Sequence, residues 1–255
     1  MMQAMRITPN DAAAADTALC PPPGVRIYAI GDVHGHLALL ERMIAAIDAD
    51  LAAHPVKEAI EVTLGDYIDR GPDSRGVLQL LATRPPTGRT RVSLRGNHED
   101  FLLDFLDDPT ELHFWAQNGA VETLASYGVH INPAAIDVAH AHRELTAALP
   151  EHHRTFLKNL STMHRIGDIV CAHAGIRPGV PLDEQSEHDL TTIRRDFIDF
   201  ADPLPVRVVH GHTPVKEPEV TPYRIDVDTG AFATGQLTCA VLEGPDLRFL
   251  TARYD

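Results

Sequence analysis

Short apolar runs that each stop at a turn built from glycine and a potential metal ligand recur along this chain, and they constrain its fold more than any other feature. Val25–Ile30 stops at Gly31-Asp32-Val33-His34-Gly35, Ile60–Leu64 at Gly65-Asp66, and Arg91–Leu94 at Arg95-Gly96-Asn97-His98-Glu99. Later, Ile169–Ala172 stops at His173-Ala174-Gly175 and Val206–Val209 at His210-Gly211-His212-Thr213-Pro214. Apolar runs of this length, bounded by turn residues, read as buried strands. In the first half a helical periodicity of Leu and Ala follows each turn, which predicts βαβ units. Tyr223–Val227, Leu237–Leu242 and Leu247–Thr251 follow with little room for helices between them. The mixture predicts an α/β fold of two packed sheets with outer helices. Residues 101 to 165 read as a helical insert punctuated by Pro109, Pro133 and Pro150. Residues 1 to 23, with an Ala run and Pro21-Pro22-Pro23, read as a flexible N-terminal arm ahead of a single domain over 24–255.

In α/β sheets, ligands bind beyond the carboxyl ends of strands, so five polar turns on such ends can converge on one pocket. Asp and neutral His suit a divalent transition ion, a carboxylate such as Asp66 can bridge two ions, and Asn97 adds a neutral oxygen. Gly31, Gly65, Gly96 and Gly211 let the backbone turn tightly and approach a metal or phosphate. Singly, each motif has an ordinary explanation. Gly-Asp is a common turn pair, and a His ending an apolar run is more often a hydrogen-bonded core residue. Five together are hard to produce by turn preference alone, and they predict a metal site. The remaining histidines, including His140, His142, His152, His153 and His164 in the helical stretch, are expected to be solvated.

The charge balance narrows the partners. Lys and Arg total 22 against 36 Asp and Glu, a net charge of −14, which supplies no long-range attraction for nucleic acid or an anionic membrane. Neither a nucleic-acid partner nor a membrane partner is expected. The first residues lack the continuous apolar core of a signal peptide or anchor, so a cytoplasmic location is expected. Cys20, Cys171 and Cys239 are too scattered for a disulfide framework or a cysteine zinc site. Nothing in the sequence reports the oligomeric state.

The motifs, in this order, resemble the bacterial PPP-type serine/threonine phosphatases of the calcineurin-like metallophosphoesterase superfamily. The likeness runs from about residue 25 to 243. It includes Trp115, Asn118-Gly119, Thr123-Leu124, Ser126-Tyr127-Gly128, His173-Ala174-Gly175-Ile176-Arg177-Pro178-Gly179 and Ile225-Asp226-Val227-Asp228-Thr229-Gly230-Ala231. The resemblance implies a β-sandwich of two mixed sheets flanked by helices. By similarity, Asp32 and His34 would bind a first metal, Asp66 would bridge, and Asn97, His173 and His212 would bind a second. The ions implied are two divalent metals, Mn²⁺ with Fe, Zn or Co as alternatives.

The resemblance further implies attack by a metal-bridging hydroxide on a phosphate ester. His98 would be the general acid and Asp69 would orient it. Arg70 and Arg95 would hold the phosphate oxygens, with a further arginine at Arg194, for which the adjacent Arg195 is an alternative. The implied reaction is hydrolysis of phosphate monoesters, on a phosphorylated protein at Ser/Thr or on a small phosphoester. The alternative is a symmetrical diadenosine tetraphosphate hydrolase. Those enzymes typically carry Asn where this chain has Asp69 and Asp where it has Glu99. A metal-dependent nuclease would need a basic track that this acidic chain lacks.

Overall fold

A computed structural model of the chain describes residues 5–7 and 19–254. Its elements run β1 (Met5–Ile7), β2 (Val25–Ile30), α1 (Leu37–Ala53), β3 (Glu58–Thr63), α2 (Ser74–Thr83), β4 (Thr90–Ser93), α3 (Asn97–Asp107), α4 (Leu112–Ala116) and α5 (Ala120–Ser126). They continue with α6 (Val138–Ala148), α7 (Glu151–Lys158), β5 (Met163–Ile166), β6 (Ile169–Ala172), α8 (Glu187–Thr192), α9 (Arg195–Ile198), β7 (Arg207–His210), β8 (Glu219–Val220), β9 (Arg224–Asp226), α10 (Ala231–Thr234), β10 (Gln236–Glu243) and β11 (Asp246–Arg253).

Two mixed sheets form the centre. One is ordered β1-β11-β10-β2-β3-β4, the other β5-β6-β7-β9-β8. Within them β2, β3 and β4 run parallel, as do β6, β7 and β9, while the pairs at the β1 and β5 ends are antiparallel. The alternation of side chains explains the layering. Ile27 and Ala29 of β2 face the other sheet and pack with Val62, Ile169, Cys171, Val209 and Ile225. Tyr28 and Ile30 point the opposite way, into a helix layer with Leu40, Met43, Ile47, Leu78, Leu102 and Trp115. On the far side, Val170, Ala172 and Val208 are covered by Leu190, Ile193 and Phe197. The result is the expected α/β sandwich with helices on both outer faces. Each fully buried Leu or Ile contributes about 1.5–3 kcal/mol relative to exposure.

α1 buries Leu39, Leu40, Met43, Ile44 and Ile47 along one stripe and ends at His54, where Pro55 disfavours a helical residue before it. Asp73 caps α2, its carboxylate accepting from Gly76 N at 2.7 Å.

Several elements differ from the sequence reading. The stretch expected to be helical to about residue 165 ends in strand β5, whose Met163-His164-Arg165-Ile166 pairs antiparallel with β6 at a sheet edge. β8 is a two-residue edge strand with both residues exposed, and no apolar run announced it. Part of the expected N-terminal arm is strand β1, paired antiparallel with β11 through Met5↔Phe249 and Ile7↔Leu247. The arm otherwise lies largely outside the described residues. His153 is wholly buried instead of solvated, held between Tyr127 Oη at 2.7 Å and Gln79 Oε1 at 3.2 Å.

Candidate metal centre

Because β2, β3 and β4 are parallel, their carboxyl ends share one rim, and β6 and β7 bring their own ends to the same place. The turns are stitched together by backbone. Val33 N and His34 N donate to Asp66 O at 3.1 and 2.8 Å, and Gly211 N donates to His173 O at 2.8 Å. Two bonds cross between the sheets. His212 N donates to Asp32 Oδ2 at 3.0 Å, and His173 Nδ1 lies 3.1 Å from Leu64 O.

The turns are tight enough to strain the chain. Among the described residues, the non-glycine positions with positive φ are His34, Asp66, Asp69, Arg70 and His212, between 44° and 71°. Such conformations cost about 1–3 kcal/mol each and persist only where surrounding structure imposes them. Their confinement to these turns marks a functional site. Glycine serves close approach here: a Cβ on Gly211 would stand 2.1 Å from Asp32 Oδ1, and one on Gly96 would stand 2.1 Å from Asp66 Oδ1.

Two buried clusters of potential ligands result, His34 with Asp66 and His98, and Asp66 with His173 and His212, sharing Asp66. Asn97 Oδ1 and His212 Nδ1 each lie 3.2 Å from His173 Nε2. The fit to divalent metal rests on four observations. Burial lowers the His34 pKa to about 3 and that of His212 to about 2, and it also lowers His173, so all three imidazoles are neutral at pH 7, as ligands must be. The His34 and His173 Nδ1 atoms face the carbonyls of Ile68 and Leu64, which fixes the tautomer that leaves each Nε2 lone pair available. Burial, then the neighbouring Asp228 and Asp66 charges, push the Asp32 carboxyl well above its usual range. That crowding of acids is relieved by a cation. The Oδ1 of Asp32 and Nε2 of His212 are buried without a hydrogen-bond partner, as unused donor atoms of a metal site would be.

If Asp32 is a ligand, Gly211→Ala forces its carboxylate aside. Elemental analysis of the purified variant is then expected to show less bound metal than the parent chain. Unchanged metal content in a folded variant would remove Asp32 from the ligand set.

Beside the first cluster, His98 Nδ1 meets Asp69 Oδ2 at 2.6 Å, and its Nε2 is 3.8 Å from Asp66 Oδ2. Asp69 is itself held. Trp115 Nε1 donates to its Oδ2 at 2.7 Å, Thr123 Oγ1 donates to its Oδ1 at 2.6 Å, and Asp69 N donates to Ser74 Oγ at 3.1 Å. Such a carboxylate fixes the imidazole tautomer and ring orientation.

The arginines divide. Arg70 reaches the cluster, its Nη1 2.9 Å from His34 Nε2, with its guanidinium 4.6 Å from the centre of the Phe232 ring. Arg95 is instead paired with Asp100 at 2.9 Å and with the exposed Glu187 at 2.5 Å. It would have to leave those acids to meet a phosphate. Arg194 Nη1 is 3.3 Å from Thr213 Oγ1, in the turn that carries His212, and its charge depresses both His173 and His212. That proximity favours Arg194 over Arg195.

Three groups at the site carry weight that the sequence reading did not give them. Glu99 accepts from Asp66 N and Gly96 N at 2.9 Å each and from Tyr67 N at 2.8 Å, clamping two of the turns together. Trp115 and Thr123 hold Asp69. All three stand inside the motifs that carry the family resemblance, but their partners are remote in sequence. His210 closes β7 as a buried strand residue, its ring edge against Phe197.

A sandwich with turns of potential metal ligands gathered on one rim is the arrangement expected of a metallophosphoesterase. Residues 25–233 match the calcineurin-like phosphoesterase family, and the chain belongs to it. It is 26% identical over 238 residues to the asymmetrical bis(5'-nucleosyl)-tetraphosphatase PrpE of Bacillus cereus (strain ATCC 10987 / NRS 248), covering 82% of this chain and 87% of that one. It is 27% identical over 232 residues to the protein of the same name from Oceanobacillus iheyensis, covering 84% and 87%. A solved structure described as a putative diadenosine tetraphosphatase shares the fold with a TM-score of 0.62 and 23% identity, over 94% of this chain and 100% of that one. A cold-active protein tyrosine phosphatase shares it with a TM-score of 0.53 and 17% identity, over 90% and 78%.

Proposed function

We propose that the chain hydrolyses phosphoanhydride bonds of dinucleoside polyphosphates, with Asp32, His34, Asp66, Asn97, His173 and His212 holding two divalent ions. The observation that carries the hydrolytic reading is the His98–Asp69 pair set beside two ligand clusters that share Asp66. Bound divalent ions supply Lewis-acid polarisation of a phosphoryl oxygen and lower the pKa of water. The protein's own residues do the rest. Arg70, one guanidinium on the rim of the cluster, forks onto the equatorial phosphoryl oxygens. Arg95 and Arg194 take oxygens further along the phosphate chain, Arg95 exchanging Glu187 for substrate. With Nδ1 committed to Asp69, His98 presents Nε2 to the leaving oxygen and delivers a proton there as the bond to phosphorus breaks.

The substrate assignment is supported by the names of the relatives, which span most of the chain at 26–27% identity. Asp69 and Glu99 set this sequence apart from symmetrical tetraphosphate hydrolases, and the relatives are named for asymmetrical cleavage, which the same residues do not disfavour. Those two residues also follow the protein-phosphatase pattern, so phosphoserine and phosphothreonine side chains are the second reading.

A side-by-side rate measurement with Mn²⁺ tests the choice, using diadenosine tetraphosphate and peptides carrying phosphoserine, phosphothreonine or phosphotyrosine. The tetraphosphate is expected to react fastest and to yield ATP and AMP. Faster release of phosphate from the peptides would replace the anhydride reading with the phosphoprotein one, and two ADP molecules per tetraphosphate would replace asymmetrical with symmetrical cleavage.

A further inference from the structure

A row of aromatic rings leaves the site on the side of the proposed acid. The Phe101 ring packs edge-on against His98 with centroids 5.2 Å apart, and the Phe114 ring packs against Phe101 at 5.1 Å. Phe114 is 54% exposed, the most of any large apolar side chain among the described residues. It rides on α4, whose other face buries Leu112 and Trp115. Trp115 is the residue that donates to Asp69, so the helix presenting Phe114 is fixed to the catalytic pair by its own neighbour. The platform is therefore held in a set position relative to the leaving group. An exposed aromatic face so placed forgoes burial that a ligand can supply.

We propose that Phe114 is the stacking surface for the nucleobase of the leaving nucleoside phosphate, an inference that rests on the anhydride reading above. The acid must stand beside the leaving oxygen, so whatever departs lies along the wall that begins at His98. Phe114 lies two ring contacts beyond the acid, which suits a base carried at the far end of a phosphate chain and not a group attached directly to the attacked phosphorus. Base–aromatic stacking tolerates any base and fits a nucleoside polyphosphate without selecting its sequence.

The test measures binding of ATP, a product under the anhydride reading, and of tripolyphosphate by calorimetry on the Mn²⁺-loaded protein in a His98→Asn background, with both ligands checked for integrity after each titration. Adding Phe114→Ala is expected to weaken ATP binding about tenfold, within the range for loss of one stacked base, while tripolyphosphate binding is retained. Phe114→Tyr, which keeps the ring, is expected to restore ATP affinity. Equal weakening of both ligands, or of neither, overturns the proposal. The two readings fail separately: tetraphosphate cleavage with ATP binding indifferent to Phe114 removes only this subsite. Phe114-dependent ATP binding in a chain whose His98-intact form cannot cleave the tetraphosphate removes only the hydrolytic assignment.

Discussion

Replacing His98 by Asn is expected to slow hydrolysis of a phosphoserine peptide by about 10²–10⁴-fold, the usual contribution of a positioned general acid. Asn approximates the shape of the ring near Cβ but has no ionisable proton, so the Asp69 contact can persist while proton delivery cannot. The size of the loss should depend on the leaving group. An alkoxide needs a proton to depart, whereas nitrophenolate and the phosphate of an anhydride leave readily without one, so p-nitrophenyl phosphate and diadenosine tetraphosphate should lose less. Rates on these substrates, measured together with metal content, separate two roles that the geometry allows. His98 stands with His34 and Asp66 in one buried cluster of potential ligands, and its Nε2 faces Asp66. A graded loss with metal retained supports the acid. Equal loss on all substrates accompanied by metal release would make His98 a ligand.

Asp69→Asn should follow a related logic. The amide can still accept from Trp115 or Thr123, but it holds the His98 Nδ1 contact less firmly than a carboxylate does, so the gradation across leaving groups should be preserved with a smaller amplitude.

The features written most clearly in the sequence were those encoded within a few residues. Val25–Ile30 and Ile169–Ala172 emerged as strands at the expected boundaries because both are buried on both faces, Ile169–Ala172 as an unbroken apolar run and Val25–Ile30 as one interrupted only by Arg26. Their terminal turns named the candidate ligands because glycine, carboxylate and imidazole stand next to one another. β5 was hidden by its position. At a sheet edge with one side turned to solvent, Met163-His164-Arg165-Ile166 needs no apolar run, and His164 and Arg165 could be read as helix surface.

Long-range partners were the other blind spot. Trp115 and Thr123 lie 46 and 54 residues from Asp69, and nothing near them in the chain announces a carboxylate to hold. Likewise, the sequence placed Arg95 beside a ligand turn, but it could not show that Glu187, 92 residues away, competes for its guanidinium. His153 looked like a helix-surface residue because its two polar partners come from elsewhere in the chain, Gln79 from α2 and Tyr127 from the end of α5.

Glu99→Ala is expected to be the most destabilising single substitution at the site. Its two oxygens accept from the backbone N–H groups of Asp66, Tyr67 and Gly96, and the side chain is fully buried. Truncation leaves three donors without an acceptor, each costing about 1–3 kcal/mol if no water replaces the carboxylate. Partial relaxation brings the expected total to about 3–5 kcal/mol, the upper end for point substitutions. For a chain of this size that corresponds to a fall of roughly 10 °C in Tm. The loss should not be purely one of stability. The same three bonds tie the Asp66 turn to the turn carrying Asn97 and His98, and Asp66 adopts a positive φ of 50° that the clamp helps to impose. Metal content should therefore fall at temperatures where the variant is still folded. Glu99→Gln supplies the control. Its single carbonyl oxygen can serve Asp66 N and Gly96 N, as Oε2 does now, but its amide nitrogen then faces Tyr67 N, so an intermediate loss is expected. A Glu99→Ala variant that melts within a few degrees of the parent and retains its metal would show that the turns hold their geometry without the clamp.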